Sequence, residues 1–125
     1  MMKNDSLFHL CLPGTVNTTI TVMPNATVAL INDSTFFNCS TTSVGVNWVF
    51  GSSQYPEPII YSHGTIKPYH KDRFRVQNYS NEFGNRFNLI LLSVAKTDAG
   101  RYICHDRDRP EERMEVNLTV LGICS

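Results

Sequence analysis

Asp98-Ala99-Gly100-Arg101-Tyr102-Ile103-Cys104 is the stretch on which the fold of this chain turns. Side chains alternate along an extended strand, so Tyr102 and Cys104 share one face, while Ile103 and His105 take the other. The same alternation continues on both sides of it. Downstream, residues 101–107 and 113–120 read as two strands joined through Asp108-Arg109-Pro110-Glu111. Upstream, residues 73–79 and 87–94 read as a hairpin with the polar link 80–86, and residues 34–39 place Phe37 and Cys39 on one face. Trp48 lies at the centre of a strand over 44–50, and a connection rich in proline (Tyr55-Pro56-Glu57-Pro58) leads to 59–62 and, past Gly64, to 65–69. The first run, 15–22, is β-branched almost throughout and reads as an edge strand ended by Pro24; 26–30 then passes through the turn Asn32-Asp33. Turn residues recur about every eight to twelve positions, the punctuation of an antiparallel sandwich, and no helical stripe competes with it.

A chain of 125 residues holds one domain with a sizeable core and leaves no room for a second of similar size. The domain is expected over 15–121, with an N-terminal extension at 1–14 and a tail at 122–125. Eleven lysines and arginines balance eleven aspartates and glutamates, so the chain lacks the overall field that draws in nucleic acid or an acidic membrane surface. The short apolar run at 7–12 is interrupted by His9 and followed by no small-residue cleavage site, and no run of roughly 18 apolar residues is present to cross a bilayer. The expectation is an excised ectodomain, with its signal, anchor or further domains outside this segment and its first methionine supplied by expression.

Four cysteines occur without a CxxC pair or histidines at finger spacing, which favours disulfides over zinc. Glycosylation triplets begin at Asn17, Asn25, Asn32, Asn38, Asn78 and Asn117, a density that agrees with a secretory route and an extracellular location. Enzyme chemistry needs converging groups. His9, His63, His70 and His105 lie on separate segments, and neither a Gly-x-Ser-x-Gly elbow nor a phosphate-cradling loop occurs, so no catalytic residue, metal or cofactor is expected.

Cys39, Trp48 nine residues on, and Asp98-x-Gly100-x-Tyr102-x-Cys104 together resemble the immunoglobulin superfamily, and within it the variable set. The likeness covers about Thr15 to Val120. It implies an all-β, immunoglobulin-like antiparallel sandwich of V type, with C′ and C″ strands accommodated between the two cysteines at 59–62 and 65–69. It also implies a Cys39–Cys104 bridge between the sheets, closing a loop of about 65 residues worth roughly 4 kcal/mol. Trp48 would then pack on that bridge beside Phe37. Tyr102 would form the tyrosine corner whose geometry Gly100 permits. Lys71-Asp72-Arg73-Phe74 resembles the start of strand D in this set, which implies an Arg73–Asp98 ion pair across the bottom of the sandwich. Residues 113–120 lack the Phe/Trp-Gly-x-Gly bulge of antigen-receptor domains, which leaves antibody-type pairing unsupported.

With Trp48 and Cys104 inward, Val49 and Ile103 face outward on the sheet of strands G, F, C and C′, and Tyr61 and His105 are expected to join them. Such an apolar and aromatic patch marks a partner-binding face. Most glycosylation triplets fall on the other side, with Asn117 on strand G as the exception. The loop Asp106-Arg107-Asp108-Arg109 and its continuation to Arg113 alternates in charge, which suits an electrostatically steered contact. Cys11 and Cys124 belong to opposite ends of the sandwich, roughly 25 Å apart by strand length, beyond the reach of a disulfide. Unless a tail folds back they stay apart, and their pairing is left open: Cys124 could join a second chain or the next domain, and Cys11 could staple the extension or remain free.

Two functions compete. One is the V-type ectodomain of a cell-surface immune or adhesion receptor that binds a protein, a second copy included, through the G-F-C-C′ face. The other is a secreted innate or virus-encoded effector that meets microbial, glycan or host-receptor targets through its loops.

Overall fold

The structure is a computed structural model that describes residues 26–42, 44–52, 55–82 and 84–122. The expected edge strand at 15–22, the N-terminal extension, Cys11, Cys124, Asn17 and Asn25 lie outside the described residues.

Among the described residues ten strands follow in order: β1 (Ala26–Leu30), β2 (Thr35–Phe37), β3 (Ser40–Thr41), β4 (Val46–Phe50), β5 (Ile59–Ser62), β6 (Thr65–Ile66), β7 (Phe74–Asn81), β8 (Gly84–Leu91), β9 (Gly100–Asp106) and β10 (Arg113–Leu121). Among the described residues they form a six-stranded sheet, β1-β10-β9-β4-β5-β6, and a four-stranded sheet in which β8 pairs with β2, β3 and β7. β1 runs parallel to β10, with Val28 opposite Thr119, and the remaining ladders are antiparallel. This is an immunoglobulin-like two-sheet sandwich.

The inward faces supply the core. Trp48, Tyr102, Phe50, Val46, Val116 and Leu118 from the larger sheet meet Phe37, Phe74, Phe87, Leu89 and Leu91 from the smaller. Phe37 stacks on Tyr102 at a centroid distance of 4.8 Å and tilts against Trp48 at 6.1 Å. The indole N–H of Trp48 donates to the carbonyl of Phe87 at 2.8 Å, so the one polar atom of this buried ring is satisfied from the opposite sheet. Cys39 and Cys104 are bonded across the sheets with their α-carbons 6.5 Å apart.

Several boundaries differ from the sequence reading. The β7–β8 hairpin runs on to Asn81 and from Gly84, so most of the expected link 80–86 is paired strand: a polar composition describes an exposed edge as well as a loop. The strand expected over 34–39 breaks after Phe37 and resumes at Ser40. In the gap Cys39 N–H donates to Asn88 Oδ1 at 3.4 Å, while Cys39 O accepts from Phe87 N–H at 2.8 Å. β6 stops at Ile66, and a 3-10 turn, Pro68–His70, replaces the rest of the expected strand because proline cannot donate to a ladder. The two residues joining β5 to β6, His63 (φ 54°) and Gly64 (φ 80°), both adopt positive φ, as a two-residue type I′ hairpin requires.

The expectation for Tyr61 is overturned. Trp48 pairs with Tyr61 but Val49 pairs with Ile59, so Ile60 is an extra residue in β5. Alternation counted through that bulge assigns the wrong face. Tyr61 follows Trp48 inward, is buried, and lies 6.5 Å from the ring of Phe87.

Candidate functional site

Two places concentrate chemistry: a polar cluster at one end of the sandwich, and the outward face of the larger sheet.

The cluster is centred on Asp98, which has no solvent exposure. Its Oδ1 accepts from Arg73 Nη1 at 2.9 Å and from the Tyr55 hydroxyl at 2.6 Å. Its Oδ2 accepts from Arg73 Nη2 at 2.6 Å and from Ala95 N–H at 2.7 Å. The two-pronged match of guanidinium to carboxylate, with two further donors, fills the acceptor capacity of the group. The Tyr102 hydroxyl donates to the backbone carbonyl of Asp98 at 2.6 Å. Gly100 (φ 141°) makes that approach possible, since a β-carbon there would lie 2.6 Å from Ser52 Oγ and 3.0 Å from the Phe50 ring.

Burial by itself drives the Asp98 carboxyl upward. The bonds from Arg73, Tyr55 and Ala95 outweigh it and hold the group below the usual carboxylate range. Burial raises both Tyr55 and Tyr102, which therefore stay protonated and act as donors. The cluster is a structural lock, with Arg73, Tyr55 and Ala95 donating to one carboxylate and Tyr102 to the backbone carbonyl of the same residue. Tyr102→Phe should leave the buried Asp98 carbonyl without its donor and cost about 1–3 kcal/mol, read as a lower urea midpoint with an unchanged denaturant slope.

Sequence reasoning missed three members of this framework. Tyr55, in the segment read as a plain connection, stacks on Phe50 at 4.1 Å as well as holding Asp98. His70 is buried and donates Nε2–H to the carbonyl of Glu57 at 2.6 Å, which ties the 3-10 turn to the β4–β5 connection. Asn88 bridges the break between β2 and β3. The one available signal was an aromatic residue in a loop, for Tyr55.

On the outward face of the larger sheet, Val49 is paired with Ile103 and with Ile59, and Asn47 with His105. Val49, Ile59 and His105 are half-buried. Ile103 corrects a second expectation: it stands outside the core cluster yet is only 9% exposed. The cause is a polar cover. Arg101 lies over Gly51, to whose carbonyl its Nη2 donates at 3.3 Å, and its Nε approaches Glu115 at 3.8 Å. A β-carbon on Gly51 would come within 2.7 Å of Arg101 Nε and 3.0 Å of Ile103 Cδ1. Glu115, the cross-strand partner of Ile103, also meets Arg113 at 3.3 Å. A small apolar centre is thus rimmed by charges of both signs.

The β9–β10 loop is ordered from within. Asp106 Oδ1 accepts from the backbone of Asp108 and Arg109 at 2.8 and 3.1 Å, and Arg109 pairs with Glu112. Arg107 lies against Gly45 and approaches Asp108 at 3.9 Å. Asn32, Asn38, Asn78 and Asn117 are all exposed. Asn117, on β10, pairs with Arg101 on β9.

No protein-family model matches the sequence, and none of the curated proteins matches it significantly. Solved structures match in fold. The chain is similar to the first immunoglobulin domain of RIG-5, seen as a homodimer, with 20% identity over 78% of this chain and 90% of that one and a TM-score of 0.64. It is similar to the first immunoglobulin domain of the mouse polymeric immunoglobulin receptor, with 20% identity over 80% of this chain and 92% of that one and a TM-score of 0.64. A third likeness, with 18% identity over 80% and 92% of the two chains and a TM-score of 0.57, is to a chain studied for the multimeric cell-adhesive interactions of VGSC beta subunits. By fold the chain is an immunoglobulin-like β-sandwich, similar to these first immunoglobulin domains.

Proposed function

We propose that this domain is an extracellular recognition module that binds a protein partner, including a second copy of itself, through the outward face of β4, β5, β9 and β10. The observation that carries the reading is the registered, half-buried pair Val49 and Ile59 beside the covered Ile103, apolar at its centre and bordered by His105, Arg101, Arg113 and Glu115. Apolar centres with charged rims are the anatomy of protein interfaces. The rim holds both signs, so a two-fold contact can set an arginine of each copy against Glu115 of the other. The RIG-5 and ZIG-8 first domains, similar in fold, form a homodimer each and a heterodimer together. The disulfide and the exposed Asn-x-Ser/Thr sites agree with an oxidising, secretory environment.

Light scattering over a concentration series tests it. The wild-type domain should dimerise reversibly, and Val49→Arg should weaken the dimer at least tenfold at unchanged thermal stability, because a charge enters the desolvated centre. A strict monomer at every concentration, or a dimer indifferent to the arginine, excludes self-recognition through this face. A second reading, binding through Asp106, Arg107, Asp108 and Arg109 by a secreted effector, is favoured by the internal hydrogen bonds that pre-organise that loop. It predicts that Arg107→Glu with Arg109→Glu abolishes partner capture while Val49→Arg leaves it intact.

A further inference from the structure

The outward face of the smaller sheet carries a second apolar surface. Phe36 on β2, 59% exposed, stands opposite Ile90 on β8, which faces Arg75 on β7. Two residues beyond Phe36, exposed Asn38 opens the triplet Asn38-Cys39-Ser40. Phe37 between them and Cys39 just after both turn inward, Cys39 to its bridge with Cys104, so Phe36 and Asn38 rise from the same face with roots about 7 Å apart.

We propose that Asn38 carries an N-linked glycan whose first N-acetylglucosamine lies on the ring of Phe36. This rests on the secretory reading above and goes beyond it by assigning the sugar a packing partner. A pyranose presents a face of axial C–H groups that packs on an aromatic ring, and an exposed phenylalanine gains by having water displaced from it. Ile90 extends the floor. Among the described triplets this neighbour is specific to Asn38: the residues two before Asn32, Asn78 and Asn117 are Leu30, Val76 and Glu115. Attachment takes the oligosaccharide from a lipid diphosphate donor. The Asn38 Nδ2–C1 bond forms, the bond from C1 to the diphosphate oxygen breaks, the amide loses a proton, and lipid diphosphate leaves. Because Cys39 is buried and bonded to Cys104, the transfer belongs to the unfolded chain, before the bridge closes.

The test uses the chain secreted from a glycosylating host, with occupancy at each asparagine read by mass spectrometry. Thermal unfolding is then compared for wild type, Phe36→Ala, Asn38→Gln and the double variant, and for wild type stripped of sugar after folding. Asn38 should be occupied, and Phe36→Ala should lower the midpoint by on the order of 2–5 °C more with the sugar than without it. Ring-current shifts of the first sugar's protons should vanish in Phe36→Ala. An equal effect of Phe36→Ala with and without sugar overturns the stacking. An empty Asn38 beside other occupied sites overturns the proposal and leaves the secretory reading standing, whereas no occupied site at all removes both.

Discussion

Asp98→Ala should destabilise the domain by about 3 kcal/mol, the lower end of the range for breaking a buried ion pair. The lower end applies because the Arg73 side chain is 38% exposed and recovers water once its partner is gone, whereas Asp98 itself is fully enclosed. What loses its acceptor is the Ala95 N–H, while the Tyr55 hydroxyl keeps only the Tyr102 hydroxyl at 3.0 Å. The same carboxylate sets a pH dependence. Its folded pKa lies below its unfolded value of about 3.9. The folded state therefore binds fewer protons than the unfolded chain, and the stabilisation is complete above that unfolded value and disappears as the pH falls through the lower folded one. Urea titrations between about pH 5 and 2 should show the wild type losing stability more steeply than Asp98→Asn. Parallel curves for the two proteins would mean that Asp98 is not held ionised by its donors.

Cys39→Ala with Cys104→Ala should cost about 4 kcal/mol, since the bridge closes a 65-residue separation. The magnitude exceeds that of any single hydrogen bond described here, because the cross-link acts on the whole unfolded ensemble. Both cysteines are buried in the core, so the double variant also leaves a partly filled space there. Guanidinium unfolding of the oxidised wild type against the double variant measures it. A difference below about 1 kcal/mol would show that the entropy of loop closure is offset in the native state.

The residues that were legible from sequence share a property: their roles follow from period-two alternation or from a motif whose spacing is short. Phe37, Trp48, Tyr102 and Cys104 alternate with outward neighbours, and all four are buried in the core. Tyr61 was misread because a bulge at Ile60 inserts one residue without any mark in composition. Ile103 was placed on the outer face and expected to be open. Its cover comes from Arg101 and Glu115, long side chains whose conformations depend on the neighbouring strand and on the absence of a side chain at Gly51. Tyr55, His70 and Asn88 were invisible for a related reason: each acts on a group at least 13 residues away, through a hydrogen bond that no local pattern encodes.

The sequence by itself determined the sandwich, the inward side of most strands and the choice of disulfides over zinc for the cysteines, because hydrophobic alternation and cysteine usage are local properties that every folded arrangement must respect. Tertiary structure alone decided how Asp98 collects its four donors, which apolar residues stay partly open on the larger sheet, and why Phe36 and Asn38 share a face across a broken strand. Those outcomes depend on register, on one inserted residue and on side-chain reach, which are fixed only when the two sheets close on each other.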